Sequence, residues 1–211
     1  MANTLSTYIT ETRRLLHDST GNYWTDAELT DYINDARNRV VADTGCNRVL
    51  QSFTIQQGVE SYSYSLLPQG VNTIDIMNLT VIWGSLRIVL NYYPFSKLNS
   101  ELRAYSAMQS RPVAFSVYGQ NTFYVGPIPD QNYTAELDTV VLPATLVNST
   151  DVDTLVYPYT SPISYYAAYK AKYKEQSYNE AEKFNEEYQR KMREALRSTM
   201  NRRITSQYPV R

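Results

Sequence analysis

The stretch RPVAFSVYGQNTFYVGPIPDQNYTAELDTVVLP, Arg111 to Pro143, constrains the fold more than any other part of the chain. Its apolar residues alternate with a period of two, the signature of half-buried strands. Phe115 and Val117 share one face, with Ala114, Ser116 and Tyr118 on the other. Phe123 and Val125 alternate with Thr122 and Tyr124, and Tyr133, Ala135 and Leu137 resume the pattern. A Gly-Gln-Asn turn separates the first two strands. Pro127 and Pro129 cannot donate ladder hydrogen bonds, so they mark a strand end or a crossing.

The alternating period begins near Val49 with VLQSFTI, followed by a turn at QQGVES. A long strand is expected over Thr73–Trp83. Gly84-Ser85 turns it into LRIVLNYY, Leu86 to Tyr93, so these two pair as a hairpin that Pro94 ends. FSKLNSELRAYS reads as a short helix or an irregular excursion. Five or more strands then make a sandwich or curled sheet.

Helical spacing flanks this region on both sides. Leu5, Tyr8, Ile9, Thr12 and Leu16 form one face of a first helix, which DSTGN breaks. The second helix starts with a capping box, Thr25 and Glu28, and a hydrophobic staple between Trp24 and Leu29. Leu29, Ile33, Ala36 and Val40 form its buried stripe, and Gly45 stops it. After a polar loop, ATLVNSTDVDTLV, Ser161-Pro162 starts a helix rich in tyrosine. Ser177 with Glu180 predicts a break and restart. The last helix carries the stripe Ala181, Phe184, Tyr188, Met192, Ala195 and Leu196 and runs to about Arg203. The expected class is α+β. N- and C-terminal helices, 1–48 and 158–203, form a bundle around an inserted antiparallel β-sandwich-like module, 49–157. A flexible basic tail, 204–211, follows.

Twenty tyrosines are unusual, and they suit either strand positions or interfaces, where one end of the ring stays wet. Cys46 is the single cysteine, so no disulfide forms within the chain. MANTLSTYITETRRLL has no apolar core of a signal peptide, and no apolar run is long enough to span a bilayer. The chain reads as cytoplasmic at synthesis. Its net charge of −1 hides an asymmetry: from Gln189 onward seven basic residues face one Glu, a net +6 on a body of −7. Such a basic end marks either an interaction segment or a solvated helix face.

Catalytic equipment is sparse. His17 is the only histidine, and its place at a helix end is ordinary. Ligands for a His/Cys zinc site are lacking, and no glycine-rich phosphate loop is present. Asp26 with Asp31, or Asp151 with Asp153, are the pairs that a carboxylate-based hydrolase would use. The first pair is better explained as helix-start charge and the second as loop polarity. TDAELTDYINDA is acidic where a DNA-recognition helix needs contacts to phosphate. Strand tyrosines in an acidic body lack the basic groove of a single-strand binder. No enzyme activity, cofactor or metal is expected.

STYITETRRLLHD…YWTDAELTDYINDARNRVVADTG, RPVAFSVYG…TFYVGPIPDQNYTAELD and the closing AEKFNEEYQRKM, in that order, resemble the head-to-tail adaptor proteins of short-tailed phages, the tail tubular protein A or gatekeeper type. The resemblance covers nearly the whole chain. It implies a structural virion protein at the head-tail junction, assembled from the host cytoplasm as a dodecameric ring below the portal. Double-stranded DNA passes through its centre at ejection without sequence-specific binding. A distal tail (nozzle) protein attaches beneath. Mapped by position, Arg197, Arg202, Arg203, Tyr208 and Arg211 are implied to dock on the portal. Tyr118, Tyr124 and Tyr133 on the β-module are implied to face neighbouring subunits or the tail. The competing function is another phage tail or tail-completion module.

Overall fold

In the computed structural model the described residues are 3–103 and 108–203, the last five by backbone alone. The elements in chain order are α1 (Leu5–Leu16), α2 (Asp26–Thr44), β1 (Arg48–Ile55), β2 (Ser61–Ser63), β3 (Thr73–Trp83), β4 (Leu86–Val89), β5 (Asn91–Tyr92), α3 (Phe95–Glu101), β6 (Ala114–Tyr118), β7 (Thr122–Gly126), β8 (Tyr133–Val141), α4 (Ile163–Lys174) and α5 (Tyr178–Arg203). The fold is α+β, with helices at both ends and a β-module inside. It divides into two compact units, one helical, Met1–Cys46 with Pro143–Arg211, and one of strands, Asn47–Leu142.

In the helical unit α4 packs against α1, α2 and α5. Its buried face is small-sided, with Ser164, Ala167, Ala168 and Ala171, which lets the neighbouring helices approach closely. Leu29, Ile33, Ala36 and Val40 of α2 are all fully buried. The box that begins α2 is complete: the Thr25 hydroxyl accepts from the Glu28 N–H, and the Glu28 carboxylate accepts from the Thr25 N–H. Gly45 ends α2 at φ 60°, a left-handed position that glycine takes without steric cost. His17 takes the same conformation at the end of α1, φ 58°. α4 stops at Glu175, Gln176 turns at φ 64°, and α5 restarts at Tyr178.

Residues 143–157, which the sequence groups with the strands, pack with the helices. The Leu5 N–H donates to the Asp151 carbonyl and the Asp153 N–H to the Asn3 carbonyl. A polar loop can go there because its carboxylates find buried donors: Asp153 meets Arg37 and Tyr8.

In the strand unit two four-stranded sheets, β1-β8-β3-β4 and β2-β7-β6-β5, close on one core. Ile55, Tyr62, Leu79, Phe115, Phe123, Ala135 and Leu137 are among its residues. The Arg111–Pro143 stretch is split between the sheets. β6 and β7 form a hairpin in one, and β8 lies between β1 and β3 in the other. The Pro127–Pro129 corner carries the crossing. The expected strand Leu86–Tyr93 is likewise two strands. β4 pairs with β3, then Leu90 turns into the core and β5 pairs in parallel with β6. A strand that changes sheets at a sandwich corner still satisfies its backbone and buries one apolar side chain on the way. FSKLNSE is helical, as α3, and packs on β6.

Candidate functional site and assembly surfaces

The outer face of β6 and β7 carries an aromatic cluster. The Tyr118 ring lies 4.4 Å from Phe95 of α3 and 6.0 Å, edge-on, from Tyr124. Tyr124 lies 5.0 Å from Phe95. The Arg103 guanidinium covers Tyr124 at 5.1 Å and forks onto both oxygens of Glu60. The Glu60 bond and charge hold Arg103 above its ordinary pKa, against the pull of burial. Stacking and ion pair together set the rings in place, while Tyr118 stays 52% exposed. The arrangement is a preset aromatic surface of the kind enriched where proteins meet.

Tyr133 does not belong to that surface. It is 3% exposed and packs in the sandwich core. Its hydroxyl donates to Asp130 at 2.6 Å. Alternation along β8 puts Tyr133, Ala135 and Leu137 on the inner face, and the ring goes with them.

The described arginines of α5 occupy its outer side. Tyr188, Met192 and Ala195 are buried, whereas Arg190, Arg193 and Arg197 are exposed. Spacings of three and four residues place these arginines along one face. Arg190 pairs with Glu187 and Glu194, and Lys191 with Glu194. Leu196, expected in the buried stripe, is 37% exposed. Arg202 and Arg203 continue the helix, with side chains outside the described residues; Tyr208 and Arg211 lie outside them altogether.

The tyrosines of α4 are plain in the sequence, but their geometry is not. Tyr188, Tyr166, Tyr169, Tyr173 and Tyr178 form a ladder with successive centroid distances of 5.0, 5.6, 5.9 and 5.3 Å. Tyr166, Tyr169 and Tyr173 recur at three and four residues, which is the sequence signal for it. A cleft of about 350 Å³ runs along Tyr32, Tyr166, Tyr169, Lys170, Tyr173 and Lys174. Lys170 pairs with Asp35 and Lys174 with Glu28, and each ammonium also lies near an aromatic face, Tyr32 and Trp24. Burial, then the Asp43 carboxylate, pushes the Tyr188 hydroxyl up, so it stays a neutral donor.

Of the candidate carboxylates, Asp26, Asp151 and Asp153 are engaged in structure, and Asp31 is exposed on α2. Asp153 accepts from Arg37 at 2.8 Å, from the Leu155 N–H at 3.0 Å and from the Tyr8 hydroxyl at 2.7 Å, all buried. Burial, then the Asp153 charge, raises the Tyr8 pKa far out of range. Asp26 pairs with Arg13. Asp151 accepts from the N–H groups of Val147 and Asn148, which hold it below its ordinary pKa. Among the described residues no three His, Cys, Asp or Glu side chains cluster as metal ligands would. No helix among them is long and apolar enough to cross a membrane.

No curated protein matches the chain. The SU10 adaptor protein family matches it over residues 3–211. With a match of that extent, over helices and strands alike, the chain belongs to the SU10 adaptor protein family of phage adaptors.

Proposed function

We propose that this chain is a structural virion protein, a head-to-tail adaptor that assembles as a dodecameric ring under the portal. It extends the DNA channel and provides the platform for the distal tail protein. The family match over residues 3–211 carries this reading. The surfaces suit it: a ring needs one patch on each copy to meet a different patch on the next, closed by rotation. Exposed aromatic residues such as Tyr118, with half-buried Tyr124 beside it, supply contact of that type. The exposed arginine face of α5, with Arg197 and onward to Arg202, Arg203, Tyr208 and Arg211, is the portal-docking segment in this reading. The protein reaches the virion from the host cytoplasm, and its role involves no catalysis.

The test is to mix purified protein with the portal protein of the same phage and to follow assembly by light scattering and electron microscopy. The isolated chain is expected to be a monomer. Rings are expected to form on the portal and to be lost on truncation after Leu196. A chain that stays monomeric beside the portal rejects the proposal.

A further inference from the structure

We propose that neighbouring copies join edge to edge through their sheets, β4 of one copy pairing with β1 of the next; this rests on the ring reading above. The sheet β1-β8-β3-β4 ends in two edges, and among the described residues no strand pairs on the outer side of either. Open edges invite pairing with other chains, so proteins guard them with Lys, Pro, bulges or short strands. β1 is eight residues long, contains no Lys or Pro, and pairs with β8 without a bulge. The sheet's irregularities lie in its middle instead, between β3 and β8. Arg48 of β1 and Arg87 of β4 each turn back over the sheet, to Asp138 and Glu136 of β8. Their charges therefore do not guard the edges.

The outward face of this sheet shows the same design. Its middle strands present Thr134, Glu136 and Asp138 from β8 and Asn78 and Thr80 from β3, with Ile82 half-buried beside Arg87. Exposed apolar side chains stand on both border strands, while Ile74 and Met77 of β3 sit at its two irregularities. Leu50 on β1 is 74% exposed and Val89 on β4 is 59% exposed. Apolar side chains left bare on both border strands gain cover when the sheet continues into a second one.

Strand direction selects a second copy as the occupant. Each strand in the order runs antiparallel to its neighbour, so β1 and β4 run in opposite senses. Rotation about an axis along the strands keeps those senses. It brings β4 of one copy beside β1 of the next as an antiparallel pair, the more stable kind. Leu50 and Val89 then lie on one face, as cross-strand neighbours. The two edges differ in sequence, so the contact is heterologous and can close a ring. The other sheet ends in strands of three and two residues, β2 and β5, and offers less.

The test uses the full-length chain in a Cys46→Ser background. Leu50→Cys with Val89→Cys is assembled on the portal protein and mildly oxidised. A ladder of covalent multimers is expected from the double variant, and none from either single variant. Dimers from Leu50→Cys alone would mean that β1 meets β1, and would overturn the proposal. As a second variant, Leu50→Lys with Val89→Lys guards both edges. It is expected to lower the assembled fraction about tenfold, the size of losing one ordinary interface contact, with thermal unfolding of the free chain unchanged. Rings that form as in the wild type in this variant overturn edge pairing alone. A wild type that forms no ring overturns the assembly reading as well.

Discussion

Asp153 joins three parts of the helical unit. Its carboxylate takes the Arg37 guanidinium from α2, the Tyr8 hydroxyl from α1 and the N–H of Leu155 from the loop before α4. Arg37 also donates to the Ala144 carbonyl and to Asn34, whose side chain in turn pairs with the backbone of Leu146. Arg37 and Asp153 side chains are 1% and 0% exposed. Removing one partner strands the other charge in the interior. Asp153→Ala is therefore expected to cost about 3–5 kcal/mol, against about 1–3 kcal/mol for Tyr8→Phe, which leaves a satisfied ion pair. Urea unfolding followed by helical circular dichroism checks both values and their order. Arg37 was missed in the sequence, although its place four residues after Ile33, beside the apolar stripe of α2, was a signal that could have found it. Asp153 was not, because nothing in TDVDTL separates the carboxylate that faces the core from Asp151, which closes its own loop.

The turn between α1 and α2 is organised by Asp18, which accepts from the N–H groups of Asn22, Tyr23 and Trp24 and from Arg13. Burial pulls its pKa upward, but the N–H groups of Trp24, Asn22 and Tyr23 and the Arg13 charge outweigh it and hold the carboxyl below its ordinary value. With the folded value lowered, Asp18 contributes in full above the unfolded value of about 3.9 and loses that contribution as pH falls through the folded one. Asp18→Asn is expected to lower the melting temperature at neutral pH and to flatten its fall below about pH 4; equal acid profiles would refute this. Helix starts and stops of this kind were legible because they are local: Thr25, Glu28, Gly45 and the break near Ser177 each speak for their own turn. Strand limits were legible for the same reason, as at Thr73–Trp83. Sheet membership was not. Period two tells which residues share a face, but not which face turns inward or where a strand changes sheets. The resemblance thus implies an outward Tyr133, which period two alone does not contradict, and the pattern reads Leu86–Tyr93 as one strand. Gly70 was silent too, although a Cβ there would stand 1.8 Å from the Tyr64 carbonyl oxygen.

At the scale of the whole molecule, charge is segregated, with a net +6 from Gln189 onward and −7 before it. A channel for DNA must not hold the phosphates that slide through it, since each Lys or Arg contact releases counterions and adds affinity. If the chain forms the proposed ring, its lumen is accordingly expected to present acidic or neutral side chains. A reconstruction of the ring on its portal that shows Arg and Lys lining the lumen would refute this. The family was legible in the order of its parts, each of which alone is commonplace.

The helical unit is made from both ends of the chain, and that has a consequence for how it is synthesised. α2 ends at Thr44 and α4 begins at Ile163. With roughly 120 residues between them, translation at about 5–20 residues per second leaves α1 and α2 without their partner helix for roughly 6–24 s. Through that interval Leu29, Ile33 and the unpaired Arg37 are bare on a nascent chain, while the strand unit, contiguous in sequence, is completed first. The Val141 N–H donates to the Asn47 carbonyl at 3.0 Å, so the finished strand unit brings its two ends together. Its closure leaves that interval unchanged, since translation sets it, but spares the late helices the loop-closure entropy of a long open insertion.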